Sequence, residues 1–247
     1  MGAEVCRAVA GDADLDLVAA VDPFCPGRES APGGVTIAGS ADAIADAGAE
    51  VAVDFTQLQA AKENLEWCAR HGVHAVVGTT GFTEEDLARV GELFPAAGGV
   101  GCFIAPNFAI GAVLMMRFAE LAAPWFDSAE IVELHHDAKV DAPSGTAVLT
   151  ARRMAAASAE WSPDPTKTEV VAGARGGLGP AGIHIHSVRL RGLVAHQEVL
   201  LGTAGQSLTI RHDSYDRSSF MPGVLLAVKG VPSRPGLTVG LESLLEL

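Results

Sequence analysis

Two rhythms of apolar residues run along the chain. Compact runs at 15–21, 51–55, 73–77 and 100–104 read as strands, and apolar spacing of three and four at 1–10, 57–70 and beyond Thr83 reads as helices between them. The punctuation agrees with this division. Gly11 and Gly72 stand where helices would end, and Thr83 followed by Glu84, Glu85 and Asp86 makes an N-cap with an acidic first turn. A short helix is expected at 43–48, and the stretch 23–39, rich in Pro, Gly and Ser, as a long mobile loop. Strands alternating with helices predict a mostly parallel sheet with helices on both faces and ligands beyond its C-terminal strand ends.

The pattern changes after a helix at 111–123, on which Leu114, Met115, Phe118 and Leu121 are expected to form the core face. An apolar run, Ile131-Val132 with Leu134, predicts a strand that delivers His135 and His136 to its end. A helix at 144–159, an irregular segment at 161–182, and strands near 183–190, 194–202 and 207–213 follow. Short turns between those three strands predict antiparallel pairing. A last helix at 217–228 contains Pro222, which is expected to kink it, and 236–247 reads as a strand and tail. The division expected is a dinucleotide-binding domain over 1–108, a substrate-binding and oligomerisation domain over 109–216, and a return to the first domain over 217–247.

Composition narrows the function. With 17 Lys and Arg against 30 Asp and Glu, the net charge of -13 argues against general nucleic-acid or anionic-membrane binding, so an anionic substrate needs a local basic cluster. No apolar run reaches membrane-spanning length, the opening Met1-Gly-Ala-Glu-Val lacks a secretion leader, and the four cysteines have no paired or metal-type spacing. A protein of the reducing cytoplasm is expected.

The stretch 133–147, Glu-Leu-His-His-Asp-Ala-Lys-Val-Asp-Ala-Pro-Ser-Gly-Thr-Ala, carries the densest chemistry. Pro143 forces an extended turn, Ser144 is placed to cap a helix, and the free N–H groups of that first turn, at Gly145 and Thr146, attract an anion. Lys139 adds a cation and the two histidines add titratable rings, which together suit a small dicarboxylic acid. Each piece alone is ordinary: a polar strand edge, a helix start. Asp22, at the end of the second predicted strand, stands where a dinucleotide-binding unit has its ribose-binding acid, or is a simple turn former. Gly78-Thr79-Thr80-Gly81 is a tight connection or a nicotinamide-side turn. His184 and His186 share a strand face and invite a zinc reading, but no third ligand has matching spacing, so no metal is expected.

Taken together, the stretch 133–147 resembles the motif of the dihydrodipicolinate reductase family, and Val77-Gly-Thr-Thr-Gly-Phe82 and Ala105-Pro-Asn-Phe-Ala-Ile-Gly111 resemble its two nicotinamide-side motifs. The resemblance implies an α/β chain: a Rossmann-like domain plus a mixed-sheet α+β substrate domain, assembled as a homotetramer. It also implies NADH- or NADPH-dependent reduction of a cyclic imine dicarboxylate to tetrahydrodipicolinate, in lysine and diaminopimelate biosynthesis. On that basis His135 is the acid/base residue and Lys139 the proton donor, while His136, Ser144, Gly145 and Thr146 hold the substrate. Gly2, Asp22, Gly78, Thr79, Thr80, Ala105, Pro106, Asn107 and Phe108 would line the cofactor. Asp22 favours NADH by repelling a 2′-phosphate, and Arg28 in the next loop would offset that. The family's first strand and most of its glycine-rich turn are expected to precede Met1, about a dozen residues. The alternative is a catalytically weak, oligomeric dicarboxylate-binding scaffold.

Overall fold

The computed structural model describes residues 1–27, 34–158 and 160–245, and the chain divides into two compact units. The first comprises Met1–Ile110 and Arg217–Leu247, the second Gly111–Asp216.

In the first unit, α1 (Gly2–Ala10) buries Val5 and Val9. Gly11 caps it in a right-handed conformation, φ −91°, not the left-handed one its position suggests. The run at 15–21 is strand only over β1 (Ala20–Val21), which pairs in parallel with β2 (Ile37–Ala38) inside the expected loop. Residues 15–19 have no ladder partner among the described residues, and a strand exists only where a neighbour takes its N–H and C=O groups. After α2 (Asp42–Asp46) come β3 (Val51–Asp54), α3 (Leu58–His71), β4 (His74–Val77), α4 (Glu84–Leu93) and β5 (Gly101–Ile104). Gly72 ends α3 at φ 69°, and a capping box between Thr83 and Asp86 opens α4.

α5 (Ile110–Ala122) leads into the second unit. It buries Ala112, Val113, Met115, Met116 and Ala119, whereas Leu114 is half-buried and Phe118 and Leu121 are exposed, so the expected core face holds for Met115, in part for Leu114, and not for the other two. The same unit holds β6 (Ser128–His135), α6 (Gly145–Ala157), β7 (Gly177–Leu178), β8 (His184–Arg189), β9 (Ala195–Thr203) and β10 (Gln206–Ser214). Their sheet runs β10-β9-β6-β8-β7. β9 and β10 pair antiparallel as their turn predicts, but β8 and β9 do not meet: β6 lies between them, parallel to β8 and antiparallel to β9. The short 190–194 connection therefore crosses over a strand instead of making a hairpin.

The chain closes in the first unit with α7 (Met221–Gly230) and β11 (Gly236–Val239), giving a parallel sheet β11-β5-β4-β3. Pro222 sits in the first turn of α7, where its missing N–H costs nothing, so it starts this helix and does not kink it.

Candidate active site

Side chains two apart on a strand share a face, so Glu133 and His135 at the end of β6 stand together on the side that meets α6. Glu133 is fully buried. Its carboxylate accepts from Arg189 Nη1 at 2.9 Å and Nη2 at 2.8 Å and from the Ser144 N–H at 3.2 Å, and it meets His135 Nδ1 at 2.5 Å. Arg189 is the register partner of His135 across the parallel β6–β8 pair, and its Nη2 also donates to the Asp141 carbonyl at 2.6 Å. One buried ion pair thus ties a strand end, the loop after it and the start of α6.

The electrostatics follow from burial. Desolvation alone would raise Glu133, but the hydrogen bonds from Arg189, Ser187 and His135 outweigh it and hold the carboxyl below its ordinary range. For His135, burial disfavours the charged ring more than Glu133 supports it, and Lys139 and Arg189 add repulsion, so its pKa lies below the ordinary value. In the free protein the ring is therefore biased toward neutrality.

Lys139 Nζ donates to both Asp141 oxygens at 2.8 Å, and that contact is the main reason Asp141 lies below its usual range. The Ala142–Pro143 peptide is cis. Ser144 caps α6 by accepting the Ala147 N–H at 3.2 Å. Gly145 is exposed with open space where a Cβ would sit, so an anion can approach the backbone there. Behind the turn, buried Gln197 donates to Thr150 Oγ1 at 2.8 Å, which donates to the Thr146 carbonyl at 2.7 Å.

His135, Lys139, Ser144, Gly145 and Thr146 are thus gathered in one place, with exposed His136 next to them. His184 and His186 are not part of it. They lie on the opposite face of the sheet from Arg189 and pair with Asp164 at 3.0 Å and Glu130 at 2.7 Å. Among the described residues no group of three His, Cys, Asp or Glu side chains could hold a metal ion. Sequence reasoning gave no role to Glu133, Arg189 or Gln197. The signal was present for Glu133, since a carboxylate two residues before a strand-end histidine must share its face.

In the first unit, the C-terminal ends of β3, β4 and β5 bring three segments to one edge. Gly78 lies against the Phe55 ring, where a Cβ would be 2.0 Å from Cε1, and buried Thr79 donates to the Thr56 carbonyl at 3.0 Å. Thr80 is exposed. Phe108 packs between Phe55 and Phe103, with ring centroids 5.6 and 6.1 Å away, and Ala105 is fully buried. Those two residues can offer only backbone to a ligand. Asp22 stands at the end of β1 and accepts the Phe24 N–H at 2.9 Å through one oxygen. Gly2 is the first residue of α1, with open space around it. Arg28 lies outside the described residues.

A parallel α/β unit with polar turns along its strand ends, and a mixed-sheet unit carrying a basic helix-start cluster, define a two-domain α/β protein of the nucleotide-dependent reductase type. Two family models match the chain: dihydrodipicolinate reductase, N-terminus, over 1–108, and dihydrodipicolinate reductase, C-terminus, over 111–245. The chain belongs to the dihydrodipicolinate reductase family. Among its relatives, the 4-hydroxy-tetrahydrodipicolinate reductases of Streptomyces coelicolor and Cutibacterium acnes are 50% and 53% identical to it; each alignment covers 100% of this chain and 94% and 95% of the relative. A dipicolinate-bound dihydrodipicolinate reductase from Paenisporosarcina sp. TG-14 superimposes with a TM-score of 0.85 at 41% identity, over 97% of this chain and 93% of that one. GenD2, from gentamicin A biosynthesis, shares the fold alone, with a TM-score of 0.63 at 14% identity.

Proposed function

We propose that this chain is a 4-hydroxy-tetrahydrodipicolinate reductase, reducing the cyclic imine dicarboxylate to tetrahydrodipicolinate with NADH or NADPH. The observation that carries this reading is the cluster of Lys139, His135 and the Ser144–Thr146 helix start at the end of β6, held by one buried ion pair. The reduced nicotinamide, when bound, supplies the hydride that adds to the far carbon of the C=C–C=N system formed when the 4-hydroxyl leaves as water, so that the product keeps its C=N bond.

The remaining work belongs to the chain. The two carboxylates are held by the Gly145 and Thr146 turn and by His136, where helix-start N–H groups favour negative charge. Hydride addition leaves an electron pair on the ring nitrogen, and a proton from Lys139 Nζ neutralises it. Asp141 holds that ammonium in place beforehand. His135 accepts and relays a proton, which suits a ring whose pKa lies below the ordinary value.

The residues at the strand ends of the first unit fit a dinucleotide. Close packing of Gly78 on Phe55 leaves room for backbone alone at that position, and Asp22 offers a carboxylate for ribose hydroxyls. Gly2, Thr79, Thr80, Ala105, Pro106, Asn107 and Phe108 complete the set, the last through backbone. We further propose a homotetramer, as the family resemblance implies, and a cytoplasmic location, supported by four free thiols. No helix among the described residues is long and apolar enough to cross a membrane. No observation favours the scaffold alternative.

The test is an assay of the purified chain with the imine dicarboxylate, following oxidation of NADH and of NADPH separately. Turnover with either supports the reading. A chain that binds pyridine-2,6-dicarboxylate but oxidises neither cofactor refutes it.

A further inference from the structure

The geometry points to Glu133 as a positioning residue for the reaction: with Arg189 it fixes His135 as the Nδ1–H tautomer, leaving Nε2 as the only ring atom able to accept and relay a proton. This inference rests on the role proposed above for His135.

Four contacts support it. Glu133 is fully buried, and its Oε2 meets His135 Nδ1 at 2.5 Å. A carboxylate can only accept, so Nδ1 must carry the proton and Nε2 the lone pair. Arg189 grips both Glu133 oxygens at 2.8 and 2.9 Å, which keeps the carboxylate ionised and prevents it from rotating away from the ring. Glu133 Oε1 also takes the Ser144 N–H at 3.2 Å, so the group that orients the ring also anchors the helix start proposed to hold a substrate carboxylate. Ring and carboxylate clamp are thereby referred to one fixed point, and a shift in Glu133 would move both.

The charged groups around His135 are Glu133 on its own strand, Arg189 on β8, and Lys139 with its partner Asp141 on the following loop. Glu133 alone among them favours the protonated ring directly. Without its charge, burial, Lys139 and Arg189 would push the ring further toward neutrality.

The decisive measurement is read on the unsubstituted protein. Long-range 1H–15N correlation of the 15N-histidine-labelled whole protein, with His135 assigned by the signal lost in His135→Gln, should show Nδ1 protonated and Nε2 bare. An Nε2–H ring, or rapid exchange between tautomers, overturns the proposal. Glu133→Gln should then lower kcat about a hundredfold and leave the NADH dissociation constant within twofold. It should also move the acid limb of the kcat/KM profile, which reports protonation of His135, to lower pH. Loss of activity with that limb unmoved would assign Glu133 a structural role only and overturn the proposal. Failure of the underlying reading looks different: His135→Gln would keep full kcat whatever the tautomer spectrum shows.

Discussion

Arg189 and Glu133 face each other across adjacent parallel strands, joined by two hydrogen bonds of 2.8 and 2.9 Å, and the carboxylate has no exposed surface. Removing the cation would leave a buried anion with only His135, the Ser187 hydroxyl and the Ser144 N–H for company. Arg189→Ala should therefore destabilise the protein by about 3 kcal/mol, read as a lower urea midpoint with an unchanged slope. A change under 1 kcal/mol would show that the pair behaves like a surface one.

How much of this was legible in the sequence depended on whether a residue's role was local. Ser144, Gly72 and the Thr83–Asp86 box act within one turn of helix, and the residue types announce them. His135 at a strand end was legible because the apolar run stops there. Arg189 was not, because its partner is 56 residues away and the pairing exists only once β6 inserts between β8 and β9. The same insertion defeated the expectation of consecutive antiparallel strands. On α5 the spacing of Leu114, Phe118 and Leu121 was helical, but spacing cannot say which stripe is buried. The small residues Ala112 and Ala119 turn inward there with Val113, Met115 and Met116.

Lys139 reaches Asp141 through both carboxylate oxygens in the free protein, and the proton transfer proposed for it requires that partner to be exchanged for the substrate. Lys139→Ala should lower kcat by a factor of about 10²–10³, with NADH binding changed less than twofold. Asp141→Asn should lower kcat less, because the ammonium stays but is no longer held. Steady-state kinetics with fluorescence titration of NADH checks both, and an unchanged kcat in Lys139→Ala rejects the proton-donor assignment.

Gly78 has no room for a side chain, since a Cβ would sit 2.0 Å from Phe55 Cε1 and 2.5 Å from Cζ. Phe55 in turn rests on Phe108, which is packed in the core, so the ring cannot retreat freely. Gly78→Ala should cost about 1–3 kcal/mol and weaken NADH binding at least tenfold. The double change with Phe55→Leu should recover part of both losses. Titration of the two variants checks this, and no recovery in the double variant would mean that the clash is not with Phe55.

The pH dependence of stability has a definite sign. His135 and His212 are both lowered chiefly by burial, so folding favours their neutral rings; that contribution is complete above the ordinary histidine value and is lost as pH falls through the folded values. Glu130, Glu133 and Asp213 also lie below their ordinary values, held there against the cost of burial by Arg175 and His186, by Arg189, and by Arg211 and His196. Their contribution is present above the ordinary carboxylate range and disappears as pH drops through the lowered values. Both sets make the unfolded chain bind more protons than the native one on the acid side of neutrality. The urea midpoint should hold between about pH 7 and 8, decline below about pH 6.5, and decline more steeply below about pH 4.5. His212→Gln should flatten the first decline without touching the second. A midpoint that rises on acidification would mean that the buried rings are protonated in the native state, and the relay assigned to His135 would fail with it.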